Sequence, residues 1–596
     1  MAMSGKRKTV LIISSIVVGL VLVALIGLAV LVAAFRHNEP TIADNSVLAL
    51  RVAGPLPDYV PYDPLRKFFG GPDQSLTNLI LQFKKAKVDN RIKIVLLEVD
   101  MSAAGWGKAE EIRDAIADFR SSGKPVYAFI EYGMNKEYYI ASACDKIYLA
   151  PPGELFINGL AADVMFFRGS LDKLGIYPDI FQIGKYKSVG DTFTRKEMSD
   201  AHREFMNSLL DDLFNRYVDA IAKARGKTAE EVRAIIDDAP YGAPRAKEVG
   251  LVDGVGYRDE LEKELKTKLG YKESDPLRLV KSSDYSEVAP ESLDLNKGEN
   301  IAVIYATGDI GSGQSGNSLG GSQSIGSDTL SKAINDARED KTIKAIVIRV
   351  DSPGGSGLAS DVIWHAVVAA KEKKPVVISM SDVAASGGYY IACGANKIIA
   401  QPSTITGSIG VVAGKPVMRG FYDWLGLSNE YLLRGKNAGM FRETEKFTPD
   451  ERAKFEAWIK TTYYNDFVPK VAQGRNKDAA YIDSIAQGRV WTGSQGRERG
   501  LVDEFGGLDR AVEVAKDLAK IPKDKGVHRV ILPYPRTFLQ ELMSEGDETH
   551  AQLKQQEAVM AALPDDARRA VRYMALLDRM KSGESMLLMP FDLRIK

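Results

Sequence analysis

Four short segments carry residue types suited to hydrolytic chemistry. In Asp382-Val383-Ala384-Ala385-Ser386-Gly387-Gly388-Tyr389-Tyr390, a serine follows an apolar run at 375–380 that reads as a buried strand, and it precedes residues 389–392, which can open a helix. The two glycines remove side-chain bulk, and a helix starting there turns free N–H groups and a partial positive charge toward a bound group. That suits a developing oxyanion. A strand-to-helix turn with a capping serine is the other reading of the same residues. The glycine pair in Asp351-Ser352-Pro353-Gly354-Gly355-Ser356 ends another apolar run, where an open α/β sheet presents backbone N–H groups to ligands. Gly407-Ser408-Ile409-Gly410 and Gly184-Lys185-Tyr186-Lys187-Ser188 add a second serine and two lysines.

The elements that must bring these segments together are written twice. Ile92-Lys93 ahead of an apolar run ending Val99-Asp100 returns as Ile343-Lys344 and Val350-Asp351. Lys124-Pro125-Val126 returns as Lys374-Pro375-Val376, Tyr138-Tyr139-Ile140-Ala141 as residues 389–392, and Gly250-Leu251-Val252-Asp253 as Gly500-Leu501-Val502-Asp503. Within each copy, short Val/Ile-rich runs alternate with amphipathic stretches such as 108–120 and 359–373. This rhythm predicts an α/β fold of tandem duplicated domains, each a mostly parallel sheet covered by helices. The copies are expected at 45–270 and 299–520, joined by a linker at 271–298 and followed by an unduplicated tail at 521–596. Residues 308–327, rich in Gly and Ser, read as a long mobile loop. The tail is helical in pattern at 551–580 and ends in an apolar stretch at 586–591, too short to span a bilayer, which reads as a packing or assembly element.

Residues 1–38 form a separate unit. Lys6, Arg7 and Lys8 precede an uncharged apolar run at 9–35, which at about 1.5 Å per residue can cross a hydrocarbon layer about 30 Å thick. A retained transmembrane anchor is expected rather than a cleaved signal, with the remainder across the membrane from the cytoplasm.

The differences between the copies say where chemistry resides. Ser386 is matched by Asn135, and Gly387-Gly388 by Lys136-Glu137; Ile157 stands opposite Ser408. The lysine runs the other way, since Lys187 is matched by Ala438 whereas Lys185 keeps a partner in Lys436. One copy holds the serine and the other the lysine, so both must pack face to face before either can act.

Composition removes other classes. Lys plus Arg equals Asp plus Glu at 79 each, so no basic field suggests nucleic acid. Cys144 and Cys393 read as free buried thiols, and no His or Cys pair has metal-ligand spacing, so neither metal nor cofactor is expected. A Ser-His-Asp triad would need a histidine near Ser386, but His365 and His202 read as helix-surface residues. Ser408 is an alternative nucleophile, although its segment lacks the first glycine of a G-x-S-x-G elbow. Lys415 does not complete a phosphate-binding loop. A non-catalytic membrane-tethered scaffold and a crotonase-like acyl transfer enzyme are the rival functions.

Taken together, Ser-Pro-Gly-Gly-Ser at 352–356, Ala-Ala-Ser-Gly-Gly-Tyr at 384–389, Thr-Gly-Ser-Ile-Gly at 406–410, Lys-Tyr-Lys-Ser at 185–188 and Val-Trp-Thr-Gly at 490–493 resemble the long, two-repeat form of the signal peptide peptidase A (protease IV) family, serine peptidase family S49. The resemblance covers most of 45–515. It implies a Clp/crotonase-like fold and a Ser/Lys dyad, with Ser386 as nucleophile, Lys187 as general base and Ser408 orienting the lysine. An oxyanion hole is then expected near Gly355 and Gly387, with Gly354 as a third candidate. It further implies signal peptides as hydrophobic peptide substrates, a bacterial inner-membrane location with the catalytic region periplasmic, and a homo-oligomer, a tetramer in the family. The chemistry requires the lysine to be neutral, and burial away from other charges lowers a lysine pKa by up to ~3–5 units.

Overall fold

The computed structural model describes residues 40–60, 74–317, 323–534 and 585–589, with a few isolated residues beyond these stretches. The apolar run at 9–35 lies outside the described residues, apart from Gly19. Among the described residues no helix is long and apolar enough to cross a membrane.

Each copy builds its own sheet. In the first, strands Ile92–Ser102, Ser46–Gly54, Val126–Met134 and Lys146–Phe156 pair in parallel within a 7-stranded sheet. In the second, Glu299–Thr307, Ile343–Ser352, Val376–Ala385 and Ile405–Gly407 do the same within an 8-stranded sheet. Strands buried on both faces read as unbroken apolar runs, and Ile343–Ser352 is buried at nearly every position. The repeated motifs make repeated contacts. Tyr138 Oη donates to Leu251 O at 2.8 Å and Tyr389 Oη to Leu501 O at 3.0 Å. Asp253 and Asp503 each accept a strand N–H at 2.8 Å, from Ile147 and Ile398. Lys124 and Lys374, just ahead of the strands Val126–Met134 and Val376–Ala385, each tie that strand's start to the end of an earlier helix, through Ala86 O and Ala337 O at 2.8 Å.

Three features depart from the sequence reading. Residues 271–298 contain a strand, Leu279–Lys281, which extends the first sheet beside Ser46–Gly54. Val527–Leu532 takes the corresponding place beside Glu299–Thr307, so the duplication continues past residue 520. Short edge strands of mixed composition carry little periodicity, which is why neither was visible. Most consequentially, a third, mixed sheet of 7 strands crosses between the copies. In it Val411–Val417 of the second copy runs antiparallel to Tyr177–Ile183 of the first, in register from Val411↔Ile183 to Val417↔Tyr177. The copies are stitched strand to strand as well as packed. The Gly/Ser stretch at 308–327 contributes strands Asp309–Gly311 and Gln323–Gly326 to the same sheet, although residues 318–322 lie outside the described set.

A buried ionic cluster also fastens the copies. Arg349, alone among apolar neighbours in its strand, lies 2.8 Å from Asp58 and 2.7 Å from Glu111 of the first copy, and donates to Ser379 Oγ at 2.9 Å. Lys108 of the first copy reaches Asp351 at 2.9 Å. Burial pushes the Asp58 carboxyl up, but Arg349 and Lys108 outweigh it and hold it at about 2. Removing one partner of such a cluster strands the other charges away from water. Arg349→Leu is therefore expected to cost about 3–5 kcal/mol, read as a lowered midpoint in denaturant unfolding, and to reduce turnover because the copies no longer hold register.

Candidate active site

Ser386 sits where the strand Val376–Ala385 meets the helix Gly387–Ala392. It is fully buried, and its backbone is held at φ 55°, ψ −112°. A non-glycine residue pays for such a conformation, so neighbouring bonds must impose it. They do: Ser386 N–H donates to Gly407 O at 2.8 Å, and its carbonyl accepts from Tyr390 N–H at 2.8 Å. Ser408, one residue beyond that glycine, also has positive φ at 53° and donates its N–H to Arg489 O at 2.7 Å.

Lys187 reaches both serines from the other copy. The strand Tyr177–Ile183 delivers it, since Ile183 is paired with Val411, three residues after Ser408. Its Nζ lies 2.6 Å from Ser386 Oγ, 2.8 Å from Ser408 O and 3.0 Å from Ser408 Oγ. Burial lowers its pKa well below the ordinary lysine value, with no carboxylate opposing the shift. A neutral amine has two N–H groups and one lone pair. With the N–H groups spent on Ser408 O and Ser408 Oγ, the lone pair is left for the Ser386 hydroxyl proton. Lys185, by contrast, is exposed, 3.6 Å from Glu204.

The glycine segments converge on the same point. A Cβ on Gly387 would lie 3.1 Å from Gly355 N and 3.1 Å from Gly354 Cα, so the two loops touch. Gly387 opens a helix, where its N–H has no intrahelical acceptor. Gly354 N–H donates to Ser352 Oγ at 3.2 Å and is thereby engaged elsewhere. In the first copy the counterpart turn is closed by its own side chains: Asn135 Nδ2 donates to Gly159 O at 2.8 Å, and the Glu137 carboxylate accepts from Ser102 N–H at 3.0 Å.

The histidines stand apart. His365 is exposed on the helix Gly357–Lys371. His202, expected on a helix surface, is instead buried and stacked on Phe205 at 5.2 Å between ring centroids.

A segment the sequence reading passed over, Gln487-Gly488-Arg489, clasps the lysine and Ser408 together. Gln487 O accepts from Tyr186 N–H and Gly488 N–H donates to Ile409 O, both at 2.7 Å. Gly488 has φ +76°, and a Cβ there would fall 2.6 Å from Lys187 Cβ. A glycine just ahead of the Val-Trp-Thr-Gly stretch was the available signal.

A strained, buried serine beside a buried lysine of depressed pKa, with two glycine segments touching nearby, has the makings of a serine hydrolase site on a duplicated α/β fold. The model of peptidase family S49 matches residues 118–272 and 368–522. Similar proteins include the chloroplastic serine protease SPPA of Arabidopsis thaliana, 39% identical over 512 residues, covering 86% of this chain and 74% of that one. Protease 4 of Salmonella typhi is 35% identical over 474 residues, covering 76% and 75%. Among solved structures, a mutant of the 1510-N membrane-bound stomatin-specific protease aligns with a TM-score of 0.25 and 18% identity, covering 39% of this chain and 98% of that one. The chain belongs to peptidase family S49, and it is a serine protease.

The crowding at Gly488 makes a direct test of how the lysine is placed. Gly488→Ala should displace Lys187 and lower kcat by about 10²-fold, the scale of a misplacement near 1 Å, while the circular dichroism spectrum stays that of the parent.

Proposed function

We propose that this protein cuts peptide bonds with a Ser386/Lys187 dyad, and that its substrates are short hydrophobic peptides such as signal peptides left after preprotein processing. The observation that carries the reading is the 2.6 Å approach of Lys187 Nζ to Ser386 Oγ in a site without an opposing carboxylate. Lys187 takes the hydroxyl proton as Ser386 Oγ attacks the scissile carbonyl carbon. The resulting oxyanion is held by the N–H groups of Gly355 and Gly387. Lys187 then passes its proton to the leaving amine as the C–N bond breaks, leaving an ester on Ser386. Water, deprotonated by Lys187, attacks that ester, and Ser386 recovers its proton. Ser408 keeps the amine aimed throughout. Ala385, the residue before the serine, packs in an apolar cluster with Phe205, Met206, Leu209, Ile405 and Val490, which supports a preference for hydrophobic side chains. The run at 9–35 serves as the membrane anchor, placing the catalytic region on the periplasmic side of a bacterial inner membrane, and the protein works as a homo-oligomer, as its resemblance to the tetrameric family implies.

Cleavage of a short apolar peptide by site variants tests the dyad. Ser386→Ala and Lys187→Met should each lose about 10⁴-fold or more in kcat, whereas Ser408→Ala should lose about 10²-fold. Near-normal turnover by the Lys187→Met protein would sink the assignment. A second measurement reads the lysine's charge. Because only the neutral amine acts as base, kcat/KM of the parent should rise with pH through the Lys187 ionisation and level off well below the usual lysine range; a limb still climbing at pH 10 contradicts a depressed pKa.

A further inference from the structure

The segment Gln487-Gly488-Arg489 that clasps the lysine is held in turn by side chains from both copies. Glu204, on the helix Asp200–Arg225 of the first copy, accepts from Arg489 Nη1 of the second at 2.7 Å. The same carboxylate accepts from Tyr186 Oη, at 2.9 Å and 3.1 Å to its two oxygens, and Tyr186 is the residue before Lys187. The Arg489 guanidinium lies over the Tyr186 ring at 4.8 Å and over the Trp491 ring at 4.4 Å. Trp491 belongs to the strand Val490–Thr492, which pairs with Ile405–Gly407 just ahead of Ser408. The contacts close a circuit: Lys187 Nζ to Ser408, Ser408 N–H to Arg489 O, Arg489 to Glu204, and Glu204 to Tyr186, which adjoins Lys187. The other charges at this circuit are Lys185, 3.6 Å from Glu204, and Arg499, over the Trp491 ring at 3.8 Å.

The counterpart positions lack these residues. With Asp200 and Phe205 set on Asp450 and Phe455, Glu204 is matched by Lys454. Asn437 stands opposite Tyr186, and Ala239 stands opposite Arg489 when Gly250 is set on Gly500. Like the serine and the lysine, the circuit is divided between the copies and found where those two meet. Glu204 and Arg489 are 47% and 18% exposed in their side chains. A partly exposed ion pair adds little to the stability of a fold, so what this pair can chiefly do is fix position.

We propose that Glu204 and Arg489 are positioning residues, a latch across the copies that keeps Lys187 aimed at Ser386. The proposal rests on the reading of Lys187 as the general base. Gly488 packs on Lys187 in the middle of the clasping segment, so releasing Arg489 lets that segment drift and admits water to the amine. Lys187 then loses its aim and part of the burial that disfavours its charged form.

Glu204→Ala, Arg489→Gln and the double variant of the full-length protein test the latch against the parent on a short apolar peptide. Each single change should lower kcat about tenfold, within the ~10²-fold that a misplacement of ~1 Å costs, with KM and melting temperature near those of the parent. Each should also move the rising limb of kcat/KM upward by about one pH unit, toward the ordinary lysine range. The double variant should be no slower than the slower single, because both changes open one latch. Additive losses, an unmoved limb, or a kcat loss that tracks a lower melting temperature overturn the proposal. So do limbs that move in opposite directions, the mark of a carboxylate and a cation acting on the lysine directly through their charge. Absence of the limb in the parent would instead count against Lys187 as the base, and the coupling of the two variants in kcat reads the latch separately.

Discussion

A buried lysine set against a buried serine organises this protein. Its amine touches a serine 199 positions away in the chain, and both groups are fully buried. A carboxylate near either would favour the lysine's charged form and undo the depression of its pKa. The fold therefore keeps its buried charges in a different place. Asp382 lies only four residues before Ser386, yet its carboxylate accepts from Gly105 N–H at 2.9 Å and Lys108 N–H at 2.8 Å, at the start of the helix Trp106–Arg120. A helix N-terminus is a favourable seat for an anion. Asp351, just ahead of the glycine segment, is paired with Lys108 in the same way. The charges that dock the copies face the first copy's helix, and Lys187 and Ser386 are left among hydroxyls, carbonyls and hydrocarbon.

Duplication makes this separation possible. Contacts that define the fold survive in both copies, such as the tyrosine bond to Leu251 O and Leu501 O. Contacts that define the site are divided. Where the second copy leaves N–H groups beside Ser386, the first fills the equivalent turn with Asn135 and Glu137. A filled turn has no use for an activated serine and demands no strained backbone there. The first copy is free to supply the lysine from its strand edge.

The α/β rhythm, the two copies and the Ser386/Lys187 asymmetry were legible because the chain carries its own comparison sequence. The way the two residues meet was not. Register in a mixed sheet depends on which edges find each other, and nothing in Tyr177–Ile183 names Val411–Val417 as its partner. His202 was misread because a polar residue on a helix is ordinarily turned to water, whereas here aromatic stacking on Phe205 buries it. The apolar end of the tail was legible as a packing element, but not that its partner is the glycine strand. Arg349 was the overlooked clue. An arginine set between Ile348 and Val350 in the buried middle of a strand must have a buried partner, and that partner lies in the other copy.

The proton linkages of the two buried sets run in opposite senses, and together they confine the protein. Burial disfavours the charged form of Lys187 in the folded site, whereas in the unfolded chain the lysine is charged at any pH below its ordinary value. Its folded pKa is depressed, so its burial opposes folding increasingly as pH falls from that value and reaches its full cost below the folded pKa. Asp58 works the other way: with its carboxyl held at about 2, it contributes stability above the unfolded carboxylate range and loses it as pH falls through about 2. Near neutrality, then, the Asp58 carboxylate contributes in full while the burial of the lysine opposes folding. The ion pairs that join the copies hold the boundary across which the site is assembled, by contacts other than those of the site itself.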